Sequence, residues 1–180
     1  MFTYHRAHTD DELHQILQVQ SENLKDQVDE NKRLSDGFVT LKHDFYLLKR
    51  MNDACPHIIA KDEDRVVGFA LSMLGDFKDD IPLLDGMFKM ADRLFPDRKY
   101  LVMGQVCVDE NYRGKGVFRG LYTHMQSCYK NGYDPLVTIV AKQNIRSLNA
   151  HKAIGFQAVQ SNNEVDWVFI VWKWNTNDRS

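Results

Sequence analysis

Apolar residues along the chain recur in some stretches at helical spacing and in others in short β-branched runs, and the changes of period mark out the elements. Phe2–His8 alternates weakly, as a first strand would. From Thr9 the text Thr-Asp-Asp-Glu opens a helix: Thr9 is a natural N-cap, and Glu12 three residues on completes a capping box. Leu13, Ile16, Leu17 and Leu24 follow at helical spacing and predict a buried stripe. Gln27–Ser35 is almost wholly charged and polar, a solvated helix end or loop. Phe38, Leu41, Phe45, Leu48 and Met51 repeat the stripe and predict a second helix over Phe38–Met51.

His57–Ala60 reads as a short strand, Lys61–Asp64 as a turn and Arg65–Leu74 as a second strand, together a hairpin. Leu83, Leu84, Met87, Phe88, Met90, Ala91 and Leu94 predict an amphipathic helix across Asp76–Phe95. Tyr100–Val108 returns to strand, Val117–Lys130 to helix and Leu136–Ala141 to strand. Asn144–Ile154 predicts a helix stopped by Gly155, where a left-handed cap favours glycine. Phe156–Gln160 and Val165–Trp174 finish as two strands. Helices and strands interleave while several strands form hairpins, so the expected class is α/β (α+β), with a mixed, mostly antiparallel, twisted sheet of about six or seven strands.

Composition narrows the function classes. The 180 residues carry no repeat or low-complexity linker, so one domain over 1–180 is expected. Lys and Arg number 23 against 25 Asp and Glu, a net charge of −2, which disfavours nucleic acid as the main partner. No apolar run approaches the length of a membrane span, and Met1–His8 lacks the apolar core of a signal peptide. Cys55, Cys107 and Cys128 are odd in number and unpaired in spacing, which points to reduced thiols and a cytoplasmic setting. His43 with Asp44, and His57 near Cys55, supply no metal-ligand spacing, so no metal is expected.

Chemistry concentrates in Val108-Asp109-Glu110-Asn111-Tyr112-Arg113-Gly114-Lys115-Gly116-Val117 and the helix that follows. A strand ends, glycines allow successive N–H groups to face one point, and a helix start adds its dipole, the outline of an anion cradle. Arg113, Lys115 and Arg119 add positive charge. The run is neither a Walker A loop, since Val117 follows Gly116, nor a dinucleotide fingerprint, since Arg119 stands where a third glycine belongs. Read by itself, it is equally a glycine-rich turn with solvated basic side chains.

Residues 108–117 nonetheless resemble the acyl-coenzyme A motif Arg/Gln-x-x-Gly-x-Gly/Ala of the GNAT N-acetyltransferase superfamily. Arg113 matches its first position and Gly116 its fourth, while Phe118 departs from the usual Gly or Ala at its sixth. Downstream, Asn144 to Phe156 resembles the family segment Asn-x-x-Ala/Ser-x-x-x-Tyr-x-x-x-Gly-Phe, with His151 where tyrosine is usual.

The resemblance implies acetyl-CoA or coenzyme A as co-substrate. Val106, Cys107 and Val108 would bind the pantetheine arm, and the backbone of Gly114, Lys115, Gly116, Val117, Phe118 and Arg119 would hold the diphosphate beside Arg113. Asn144 would touch the cofactor arm, although asparagine is also a strong N-cap. His151 stands where a tyrosine protonates the departing thiolate and is the implied general acid or base. A histidine on an amphipathic helix can also be a packed polar residue. Cys107 reads as an inert buried thiol, and no general base is assigned.

The implied activity is transfer of an acetyl group from acetyl-CoA to a primary amine, small-molecule or peptide. Alternatives are transfer of another acyl group, or non-catalytic acyl-CoA binding. The acids and aromatics near 75–98 mildly favour a cationic acceptor, and a solvated face explains them as well. The aromatic strand Val165–Trp174 reads as core or as part of a homodimer interface.

Overall fold

Residues 1–24, 42–160 and 166–175 are described in the computed structural model. Seven strands form one open sheet in the order β1-β2-β3-β4-β5-β7-β6, where β1 is Thr3–Arg6, β2 Ile58–Asp62, β3 Arg65–Met73, β4 Leu101–Val108, β5 Leu136–Ala141, β6 Gln157–Gln160 and β7 Trp167–Trp172. Every pairing is antiparallel except β4 with β5. Among the described residues five α-helices flank it: α1 Asp10–Glu22, α2 Phe45–Ala54, α3 Asp85–Leu94, α4 Val117–Tyr129 and α5 Ile145–Ile154.

The expected mixed sheet is therefore present, and local signals set most element ends. Thr9 Oγ1 accepts from the Glu12 N–H at 3.1 Å while the Glu12 carboxylate accepts from the Thr9 N–H at 3.3 Å, so α1 starts on the anticipated capping box. Asp44 caps α2 by accepting from the Leu47 N–H at 2.9 Å, so the helix begins at Phe45 rather than Phe38. The expected loop over Gln27–Ser35 and the segment 38–41 lie outside the described residues.

The long helix expected over Asp76–Phe95 is broken. Gly75–Phe77 and Pro82–Leu84 are single 3₁₀ turns, and only Asp85–Leu94 is α-helical. Pro82 explains the break: its ring disfavours helical backbone at the preceding residue, and Ile81 sits at φ −131°, ψ 82°. The hairpin turn is also tighter than expected, because β2 runs on through Asp62 and leaves Glu63 at φ 53°.

The sheet buries both faces. Leu13, Ile16, Leu48, Met51, Phe88 and Ala91 of α1, α2 and α3 pack on Phe69, Leu71, Val137 and Phe169. On the other face, Leu121, Tyr122 and Met125 of α4 pack on Ala70, Leu101, Leu136 and Ile170. Full burial of each large side chain contributes about 1.5–3 kcal/mol. Gly120 lets α4 approach β1, because a Cβ there would lie 2.0 Å from the Tyr4 ring.

Two irregularities in β4 create the site. Ala70 pairs with Val106 and Ser72 with Met103, so Gly104 and Gln105 together oppose Leu71 in a β-bulge. On its other edge β4 pairs with β5 only at Leu101–Leu136 and Val102–Val137. Beyond that, Thr138 Oγ1 donates to the Met103 carbonyl at 2.8 Å, and the two strands then part.

Candidate active site

The Asp109 N–H donates to Val67 of β3 at 2.9 Å. Strand alternation therefore turns the N–H groups of Val106 and Val108 to the opposite edge, toward the gap between β4 and β5. The chain then enters a one-turn 3₁₀ segment, Glu110–Tyr112. Buried Asp109 secures it by accepting from the Asn111 N–H at 2.9 Å and pairing with Arg65 at 2.6 Å.

Gly114 and Gly116 follow at φ 73° and 85°, the left-handed region that favours glycine. A Cβ at either position would meet nothing within 4 Å, so glycine is needed there for backbone conformation rather than for space. Gly116 is the N-cap of α4 and brings no side chain to cap it. The Gly120 N–H is the first to bond back, to Gly116 at 3.0 Å, which leaves the N–H groups of Val117, Phe118 and Arg119 without an intrahelical partner. Three clustered donors at the positive end of a helix dipole are the arrangement that can hold an anion.

This turn and the gap open into one cleft of about 360 Å³, within the size range of small-molecule sites. Of the residues anticipated for the cofactor, Val106, Cys107, Val108, Arg113, Gly114, Gly116, Val117, Phe118, Arg119 and Asn144 line it. Lys115 does not; its ammonium lies 5.3 Å from the centre of the Tyr112 ring. Arg113 ties the turn to neighbouring structure, donating from Nε to the Val108 carbonyl at 3.2 Å and from Nη2 to the Asn23 side chain at the end of α1. Arg119 reaches the Ala153 carbonyl near the end of α5 at 3.3 Å.

The sequence reading missed Asn23, Tyr112, Arg146, Ser147, Ala150, Ala153 and Ile154, which also line the cleft. The α5 residues had a signal: 146/147, 150 and 153/154 recur at helical spacing on one face, with alanines that admit close approach. Asn23 had none, because only the tertiary fold brings α1 beside the turn.

Cys107 lines the cleft but is buried, and burial pushes its thiol up to about 12, so it is not a thiolate nucleophile. Asn144 caps α5 by accepting from the Ser147 N–H at 3.1 Å, so its capping and cleft-lining placements coincide.

His151 is 1% exposed and both its ring nitrogens are engaged. Nδ1 lies 2.7 Å from the Ser147 carbonyl, which can only accept, so Nδ1 carries the proton. Nε2 therefore accepts from the Tyr122 hydroxyl at 2.6 Å. Burial lowers His151 to about 4, which keeps the ring neutral. Phe118 stands edge-on to it, with ring centroids 5.2 Å apart at 89°. The two departures from the motif thus touch one another.

A buried polar group that sequence reading did not single out lies on the other side of β4. The Gln20 amide N–H group donates to Gln105 Oε1 at 2.7 Å and to His43 Nδ1 at 2.9 Å, while Gln20 Oε1 accepts from the His43 backbone N–H at 3.0 Å. This joins α1 and the approach to α2 to the bulge. Among the described residues no group of three or more His, Cys, Asp or Glu side chains is arranged to hold a metal ion, and no helix is long and apolar enough to cross a membrane.

Comparison with known proteins agrees with this architecture. No curated protein sequence matches the chain. The mosquito arylalkylamine N-acetyltransferase like 5b is 12% identical with a TM-score of 0.68, covering 96% of this chain and 100% of that one. The ribosomal-protein-S18-alanine N-acetyltransferase from Escherichia coli is 12% identical with a TM-score of 0.66, covering 100% of this chain and 98% of that one. A chain of the NatC complex bound to Gag peptide and CoA is 14% identical with a TM-score of 0.65, covering 96% of this chain and 98% of that one. The sequence profile described as "Acetyltransferase (GNAT) family" matches residues 13–156, and the chain belongs to that family.

Proposed function

We propose that this protein transfers an acetyl group from acetyl-CoA to a primary amine. The observation that carries this reading is the convergence, in one cleft, of three unpartnered N–H groups at the start of α4 and the open edge of β4. The residues present fit coenzyme A: glycines at positive φ present backbone donors to a diphosphate, and the walls of Val106, Val117, Ala150 and Ile154 suit an apolar-flanked pantetheine arm. When bound, the thioester supplies an acetyl group activated for attack by an amine.

The chain's own contribution is binding, orientation and polarisation. An N–H at Val106 or Val108 is turned to meet a carbonyl oxygen in the gap, where developing negative charge is stabilised. In balanced form, the amine nitrogen bonds to the carbonyl carbon as the carbon–sulfur bond breaks, one proton leaves nitrogen and one reaches sulfur. In this reading His151 is a positioning residue, since its Nδ1–H is committed to Ser147 and its Nε2 to Tyr122. It holds α5, with Asn144 and Ser147, against α4.

Calorimetric titration with acetyl-CoA and coenzyme A, followed by a free-thiol assay with added amines, tests the proposal. Binding that Gly116→Asp abolishes, together with amine-dependent thiol release, is the expected result. A folded wild-type protein that binds neither compound overturns it. Binding without release for any amine leaves an acyl-CoA-binding module.

A further inference from the structure

Where β4 and β5 part, the sheet is pierced. A passage of about 90 Å³ runs between the strands, and its lining comes from both faces. Ser147 and His151 of α5 border it on the face of the cofactor cleft. Val106, Asn144 and Ser147 line both spaces, so the passage and that cleft share a wall.

Strand alternation identifies the far mouth. Ile139 and Ala141 share a face of β5 with Val137, and Trp167 shares a face of β7 with Phe169 and Val171, all on the side packed by α1 and α3. Leu83 and Leu84, from the 3₁₀ turn before α3, complete the rim beside Gln105. Among the described residues, no carboxylate and no cationic side chain lines the passage.

The acidic residues of the neighbouring segment are directed elsewhere. Asp80 pairs with Arg50 at 2.9 Å and Asp85 with Lys89 at 2.7 Å, while Asp76 and Asp79 are exposed away from the passage. A second ammonium drawn into this space would lose its water without gaining a charged partner among the described residues. The volume of about 90 Å³ is enough for a compact group of a few carbons.

Building on the acetyl-transfer reading, we infer that the acceptor enters from this mouth and is a small primary amine whose remaining bulk is a compact, uncharged apolar group. Diamines, polyamines and amino acids presenting a second charge are excluded by the same wall that admits an alkyl group.

Isoamylamine, putrescine and 4-aminobutyrate, close in length and differing in terminal charge, test this in the free-thiol assay. Acetyl-CoA affinity is measured alongside by calorimetry. The expected result is a kcat/KM for isoamylamine at least a hundredfold above that for either charged amine. Leu83 is 53% exposed, so Leu83→Asp adds a carboxylate at the rim without disturbing the core. It should lower kcat/KM for isoamylamine and raise that for putrescine at least tenfold each, with acetyl-CoA affinity unchanged.

A wild-type preference for putrescine or 4-aminobutyrate overturns the inference, as does a ratio that Leu83→Asp leaves unmoved. Acetyl-CoA binding with no turnover of any of the three amines overturns it while leaving the cofactor site in place. Absence of acetyl-CoA binding removes the parent reading instead, and this one with it.

Discussion

The two spaces that meet at the parting of β4 and β5 are built from opposite materials. The cleft at the start of α4 presents backbone N–H groups, glycines and the guanidinium groups of Arg113, Arg119 and Arg146. The passage presents leucine, isoleucine and tryptophan side chains, and its polar members are uncharged at neutral pH. A helix start binds phosphate through atoms every residue possesses, so its identity tolerates change wherever glycine does not. An apolar wall depends on which side chains stand there, so specificity can be altered in one space while affinity in the other is preserved.

Acid should have the largest effect, because the fold around both spaces relies on buried neutral histidines. His43, His57 and His151 are lowered by burial to about 4, about 3 and about 4, from 6.5. Their folded values lie below the unfolded one, so the unfolded chain takes up protons first on acidification. Their contribution is fully present above pH 6.5 and is lost as pH falls toward 4, at up to about 1.4 kcal/mol per pH unit for each group. Denaturant midpoints at pH 7.5, 6 and 5 should fall steeply, and a flat profile over that range would refute the neutral assignment.

A second test separates conformation from charge in the glycine turn. Gly116→Ala strains a φ of 85° and should weaken coenzyme A binding by about tenfold, in line with the 1–2 kcal/mol left-handed penalty. Gly116→Asp adds a negative charge at the anion site and should weaken binding by at least a hundredfold. Equal effects of the two would show that the N–H cluster holds no anion.

The smallest effect is expected at the seam. Tyr122→Phe leaves His151 Nε2 buried without its donor and should cost about 1–3 kcal/mol. That lowers Tm by roughly 2–12 °C for a chain of this size. A positioning role for His151 predicts that kcat then falls less than tenfold and that the pH–rate profile keeps its shape. Loss of a titrating limb with a kcat collapse would assign His151 a proton-transfer role instead.

Much of this was legible in the chain. The Thr9–Glu12 box, the Asn144 cap and the Gly155 stop each depend on a few neighbouring residues, and each appears as read. The apolar period over Asp76–Phe95 runs through Pro82, whose backbone constraint outweighs it, so no single helix forms there. His151 was placed at a motif register that says nothing of burial, and its partner Tyr122 is 29 residues away.

Amino-acid order alone determined the glycine turn, the helix caps and the order of helices and strands, because these follow from backbone freedoms and hydrogen bonds within a few residues. Only the tertiary structure decided that β4 bulges at Gly104–Gln105 and leaves β5, that Leu83 and Trp167 meet across the resulting passage, and that His151 stays neutral. Each of those outcomes depends on groups far apart in sequence, whose packing sets strand spacing and removes water from the imidazole.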